Sequence, residues 1–145
     1  MSVSQTKIRV RYAETDQMGI VYYANFFIWF EVGRVELLRH LGFHYKQMEI
    51  EDDCHFPVVE ASCRYKSPAH YDDELVLETR VLAMRRSVLK FGYRLTRPPQ
   101  NGAGATLLAE GETTHVVVDR SLRKVPLPEK YVAVLQQFLA RPSPS

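Results

Sequence analysis

Cysteine is scarce in this sequence: Cys54 and Cys63 are the only two among 145 residues. Two thiols cannot build a disulfide scaffold. Their spacing matches no zinc motif, and no further cysteine could complete one, so reduced thiols in a cytoplasm are expected. Long apolar runs are missing as well. No stretch of about 18 apolar residues exists, so no membrane span is expected, and Met1 to Lys7 is polar, without the apolar core of a signal peptide. Charge of one sign is not concentrated. The formal net charge is +2 with a pI near 8.6, and Lys and Arg are scattered among acids rather than gathered into a nucleic-acid-binding block. That mild basic excess suits an anionic small ligand. None of the five histidines falls at a metal-ligand spacing such as His-Glu-x-x-His. Packing in strands or loops is the expectation for His40, His44, His55, His70 and His115.

The composition, 46% hydrophobic and 25% charged, is that of a folded globular chain and not a disordered one. Its length suits one domain over 1–145, with only the tail Arg141 to Ser145, rich in Pro and Ser, expected to fray. Lys7 to Tyr12 alternates as a short strand, and Ala13 to Tyr23 reads as a loop. From Asn25 to about Leu41 the period becomes helical: Phe26, Phe30, Gly33, Leu37 and Leu41 share one face. Phe27, Trp29, Val35 and Leu38 add apolar surface elsewhere, so most of this helix should be buried. Asn25 reads as its N-cap and Gly42 as its stop. Everything after it reads as strands. Val59 to Tyr65, Leu75 to Ala83 and Leu89 to Leu95 alternate with period two, as half-buried antiparallel strands do. Pro98 to Gly104 supplies a turn, Thr106 to Val118 a long last strand in which Gly111 reads as a bulge, and Pro128 the start of a closing helix. One apolar helix followed by a run of strands means α+β, with an antiparallel sheet wrapped around the helix. The sheet's second face and open edges favour self-association.

The chemistry concentrates between Tyr12 and Phe26. Two acids, Glu14 and Asp16, sit in a loop before a helix whose first N–H groups are unsatisfied and carry partial positive charge. Such donors can hold a developing oxyanion while a carboxylate acts as nucleophile or general base. Gly19 would let the backbone bend tightly or a substrate approach closely. Asp16 stands nine positions before Asn25, too far to be its simple N-cap. On spacing alone a turn-forming or capping Asp is the commoner outcome, and Glu14 reads as a solvated loop charge. Arg34, on an otherwise apolar helix, is expected to pair with Glu31 or with an acid of a partner subunit. Cys63 belongs to the inward set of its strand and reads as a small buried hydrophobe.

The run from Thr15 to Phe26 resembles the active-site motif of the 4-hydroxybenzoyl-CoA thioesterase family of hotdog-fold proteins. Trp29 to Arg39 is similar to that family's central helix, Lys66 to Leu75 to its second-strand turn, and Val125 to Pro128 to its ending. The likeness runs in order along nearly the whole chain and leans toward the branch containing the Tol-Pal-associated thioesterases. It implies a hotdog dimer, often paired into tetramers, with sites at the subunit interface. It also implies hydrolysis of an acyl-CoA thioester, with Asp16 as catalytic carboxylate, the Tyr23 backbone N–H polarising the carbonyl, and no metal or cofactor beyond the substrate's own CoA. Tyr22 could line the acyl pocket, although aromatic residues at a helix entry more often belong to the core. Arg85 and Arg86, similar in position to CoA-contacting residues of the family, suit pyrophosphate and ribose phosphate; Lys90, Arg120, Arg123 and Lys124 are weaker candidates. Two rivals remain: a hydroxyacyl-thioester dehydratase, which would want a His near Tyr22, and a catalytically silent acyl-CoA-binding module.

Overall fold

The computed structural model describes residues 3–139; the tail expected to fray lies outside them. Five strands form one antiparallel sheet: β1 (Ser4–Arg9), β2 (Val58–Tyr65), β3 (Glu74–Arg85), β4 (Val88–Arg97) and β5 (Thr106–Val116). Their spatial order is β1-β3-β4-β5-β2. Three helices accompany them: α1 (Asn25–His40), α2 (Tyr45–Glu51) and α3 (Glu129–Leu135). The α+β expectation holds, with α1 laid across β1, β3 and β4.

Period two decides what faces that helix. Leu75, Leu77 and Val81 of β3 and Leu89, Phe91, Tyr93 and Leu95 of β4 are buried, and they meet Phe26, Trp29, Phe30 and Leu37 of α1. Phe30 stacks on Tyr93 with centroids 4.3 Å apart, a pair worth about 1 kcal/mol beyond its buried area. Gly33 lets helix and sheet touch: a Cβ there would lie 2.6 Å from Leu77 Cδ2 and would also strike Thr79 Oγ1. That Thr79 hydroxyl is buried and has no partner among the described residues.

One polar chain crosses this core. His115 Nδ1 lies 2.9 Å from Phe56 O, which can only accept, so Nδ1 carries the proton and Nε2 accepts from the Thr113 hydroxyl at 2.8 Å. Tyr93 Oη then donates to Thr113 Oγ1 at 2.6 Å, and Arg34 Nη1 donates to Tyr93 Oη at 3.4 Å. Every member is satisfied, which is how buried polar groups persist. The Glu31 pairing open to Arg34 is therefore not made: its side chain points to Tyr93, and among the described residues it has no carboxylate partner.

Several boundaries and environments also differ. β1 ends at Arg9, because the chain turns into a short 3-10 helix, Tyr12–Glu14, whose Glu14 carboxylate accepts from the Arg11 N–H. Asn25 is the first residue of α1 and not its N-cap; Ala24 holds that position, and the Asn25 side chain donates to Glu14 O at 2.8 Å. After Gly42 the chain forms α2, which periodicity missed because it is a seven-residue helix burying only Met48. β5 stops at Val116, and Gly111 is no bulge: its register with Cys63 and Tyr93 is continuous. A Cβ at Gly111 would instead meet Ser62 O at 2.7 Å and the Phe30 ring. β2, whose alternation suggested a half-buried strand, is an edge strand exposed almost throughout, with Cys63 only half-buried. On α1, Ile28 and Val32 are likewise open to solvent.

Candidate active site

The segment from Tyr12 to Asn25 runs from β1 into α1 and is pinned on both sides. Val21 N–H donates to Ala69 O at 2.9 Å and Val10 N–H to Asp73 O at 3.0 Å, while Ile20 bridges His70. These contacts leave Asp16 to Gly19 as a projecting turn. Gly19 N–H donates to Asp16 O at 3.0 Å, and Asp16 N–H donates to Ile20 O at 2.9 Å. Gly19 has φ +80° with nothing near its missing Cβ, so its left-handed backbone, and not crowding, calls for glycine.

Asp16 is half-exposed in this turn. Its Oδ1 accepts from Met18 N–H at 2.9 Å, which is the turn-forming role that short polar side chains commonly take. Among the described residues its other oxygen has no partner, so one carboxylate oxygen remains available for chemistry.

The helix entry supplies donors. Asn25 N–H bonds Tyr22 O, Phe26 N–H bonds Tyr23 O and Phe27 N–H bonds Ala24 O. Among the described residues the N–H groups of Tyr23 and Ala24 have no acceptor. Unsatisfied donors at the positive end of a 16-residue helix suit a developing oxyanion. Tyr65 of β2 steadies this entry: its hydroxyl donates to Tyr23 O at 2.9 Å, and its ring packs edge-on against Phe26. Burial holds the Tyr65 phenol above its ordinary range, so it stays protonated as a donor. Tyr22 is 47% exposed and lies against the Tyr23 ring, outside the core.

Glu14 overturns its reading as a solvated charge. It is 4% exposed. Oε1 accepts from Arg11 N–H at 2.7 Å, and Oε2 accepts from Trp29 Nε1–H at 2.7 Å and from the Arg11 guanidinium at 3.4 Å. Its carbonyl takes Tyr22 N–H at 2.9 Å and Asn25 Nδ2 at 2.8 Å. The roles of Glu14 and Tyr65 are not legible in the sequence, because a loop has no periodicity and the alternation of β2 gives a face but not a partner; the one available signal for Glu14 is the chain's single Trp lying on a helix downstream of an acid.

The arginine pair is not beside Asp16 in one chain. β3 begins at Glu74, next to the pinned segment, and ends at Arg85, which at 3.3 Å per residue is about 36 Å further on. Arg86 follows in the turn, its carbonyl held by Leu127 N–H at 2.9 Å. Lys90 is paired with Glu112 at 2.9 Å, and Arg123 with Asp119 at 3.6 Å. Burial pushes the Cys54 thiol up to about 11 and raises that of Cys63. Neither is an activated nucleophile. Among the described residues no cluster of three or more His, Cys, Asp or Glu side chains could hold a metal ion, and no helix is long and apolar enough to cross a membrane.

A five-stranded antiparallel sheet curled over one long helix, with a loop carboxylate and free N–H donors at that helix's start, defines the hotdog class of protein. A family model described as the thioesterase-like superfamily matches residues 10–138, and the chain belongs to that family. The Bacillus subtilis protein YneP is 40% identical over 120 residues, covering 83% of each chain. The acyl-CoA thioester hydrolase YbgC of Escherichia coli is 34% identical over 131 residues, covering 90% of this chain and 93% of its own. The structure of 4-hydroxybenzoyl-CoA thioesterase from a Pseudomonas species superposes with a TM-score of 0.84 at 22% identity, over 92% of this chain and 99% of its own. At that identity the likeness concerns the fold alone.

Proposed function

We propose that this chain hydrolyses the thioester of an acyl-CoA to free acid and CoA, with Asp16 as the reacting carboxylate and the Tyr23 N–H as oxyanion donor. The observation that carries the reading is the juxtaposition of a half-exposed carboxylate with one free oxygen and a helix entry with two unpaired N–H groups. Family membership and the thioester hydrolase YbgC among the relatives support it.

Two routes use the same parts. In one, the free Asp16 oxygen attacks the carbonyl carbon, the negative charge collects on the carbonyl oxygen at Tyr23 N–H, and CoA thiolate leaves; water then cleaves the mixed anhydride and restores Asp16. In the other, Asp16 takes a proton from water as that water attacks, and the thiolate leaves from the tetrahedral adduct. The thiolate is a good leaving group in both, so neither route needs a metal. Gly19 and Tyr22 line the approach, Gly19 by leaving open space beside the turn.

One chain is an incomplete binding site under this reading. Val58 and Val59 on the open edge strand β2, and Ile28 and Val32 on α1, are exposed apolar side chains of the kind a second copy would cover. Two copies set antiparallel bring the far end of one sheet to the site end of the other, so that Arg85 and Arg86 meet the phosphates of CoA bound at the partner's Asp16. A dimer, or a dimer of dimers, is therefore the working unit. Acyl-CoA is a cytoplasmic metabolite, and two free cysteines accord with that compartment. The test is thiol release from a panel of short, long and aromatic acyl-CoAs. Turnover of at least one class is expected; binding without any thiol release would favour a silent acyl-CoA-binding module.

A further inference from the structure

We propose that Glu14 is a positioning residue for the hydrolytic step, holding the Asp16 turn and the donor end of α1 in one fixed relation. This rests on the reading of Asp16 and Tyr23 given above. A carboxylate this deeply buried has lost its hydration and persists only where hydrogen bonds replace it. Both its oxygens are so replaced, by Arg11 N–H on one side and the Trp29 indole on the other. Trp29 stands on the second turn of α1, so the second bond crosses from loop to helix. Hydrogen bonds to an ionised acceptor are roughly twice as strong as neutral ones, which makes this crossing stiff.

The backbone of the same residue adds two more grips, Tyr22 N–H and the Asn25 side chain. Glu14 thus holds the turn before the helix, the helix's first residue and a side chain one turn further in. Asp16 follows Glu14 with only Thr15 between them, and Tyr23 follows Tyr22 directly. Among the described residues neither has a side-chain bond into α1 of its own. Asp16 is bonded within its own turn, and among the described residues the Tyr23 backbone is tied beyond the helix entry by Tyr65 alone. The Ile20–His70 and Val21–Ala69 contacts hold the base of the turn, and Glu14 is the link that ties that turn to the helix side chain beyond the donors.

The test is steady-state hydrolysis of an acyl-CoA by Glu14→Gln, Asn25→Ala and Asp16→Asn, each with a melting curve. In Glu14→Gln the shape is kept, but the amide nitrogen cannot accept, so one grip breaks. Asn25→Ala removes the bond to Glu14 O while Tyr22 N–H still satisfies that carbonyl. Each is expected to lower kcat by about 10- to 100-fold with KM within about twofold, the scale of a misplaced reacting group. Adding Trp29→Phe to Glu14→Gln should cost less than the product of the two single effects, because both weaken the same hold of Glu14 on the turn and helix. A purely structural role moves the melting temperature and leaves kcat per folded molecule unchanged. That outcome in folded Asn25→Ala and Glu14→Gln, with Asp16→Asn inactive, overturns the positioning role alone. Should Glu14→Gln not fold, Asn25→Ala decides by the same criterion. Asp16→Asn turning over at the wild-type rate overturns the site reading, and the positioning role with it.

Discussion

His115 should make the fold sensitive to acid in a window set by its burial. Burial holds its imidazole at about 4, against an ordinary 6.5; the bond to Phe56 O works against that shift and nearby Arg34 works with it. The folded state therefore keeps His115 neutral where the unfolded chain protonates it. Stability from this residue is fully present above about pH 6.5 and falls as pH drops toward 4. At 1.36 kcal/mol per unit, a gap of about 2.5 units amounts to roughly 3 kcal/mol. A variant that does not titrate, His115→Gln, can still donate to Phe56 O and accept from Thr113. Urea melts of both proteins, followed by the fluorescence of the single, buried Trp29, should be taken at fixed protein concentration from pH 7.5 to 4. The wild type should lose roughly 3 kcal/mol relative to His115→Gln across that range. Parallel curves would mean that His115 titrates alike in the folded and unfolded states, contrary to the shift its burial imposes. His55 has the opposite sign and stays in both proteins: burial opposes its protonation, but hydrogen bonds to Asp53 and Glu49 outweigh it and raise its pKa. Its contribution is present below about 6.5 and is lost as pH rises through the raised value.

Gly33→Ala should destabilise the fold by about 1–3 kcal/mol, the cost of overpacking a tight contact, because the added methyl has only Leu77 and Thr79 to push against; the same urea melts measure it. Arg85→Ala with Arg86→Ala should raise KM for acyl-CoA by about tenfold, in line with losing charged phosphate contacts, and leave hydrolysis of the matching N-acetylcysteamine thioester, which has no phosphates, unchanged. Equal effects on both substrates would remove the pair from the CoA site.

Much of the fold was legible because α1 and the strands bury one face each, and period 3.6 or 2 records that directly. Phe26, Phe30 and Leu37 are buried where the helical stripe put them, as are Leu75, Leu77, Phe91 and Leu95 where alternation put them. Elsewhere the physics lies outside periodicity. β2 alternates as well as β3 does, yet it stands at an edge, so its inward residues remain open in one chain. The tight contacts at Gly33 and Gly111 depend on which side chain arrives from another element. At the candidate site, the motif around Asp16 was visible, whereas Glu14, Tyr65 and the Arg34 chain were not. The roles of Tyr65 and Arg34 come from partners far along the chain, 59 residues in the case of Arg34 and Tyr93, and that of Glu14 from a turn that brings Trp29 back to it. Sequence spacing carries no record of such meetings.

In the proposed hydrolysis the free carboxylate oxygen of Asp16 acts on a thioester. Free thiol released from a turned-over acyl-CoA by wild type and by Asp16→Asn, both folded and at equal concentration, tests it most directly. Asp16→Asn should lose at least about a hundredfold in kcat, the scale of removing a nucleophile or general base. Equal rates of thiol release by the two proteins would contradict it.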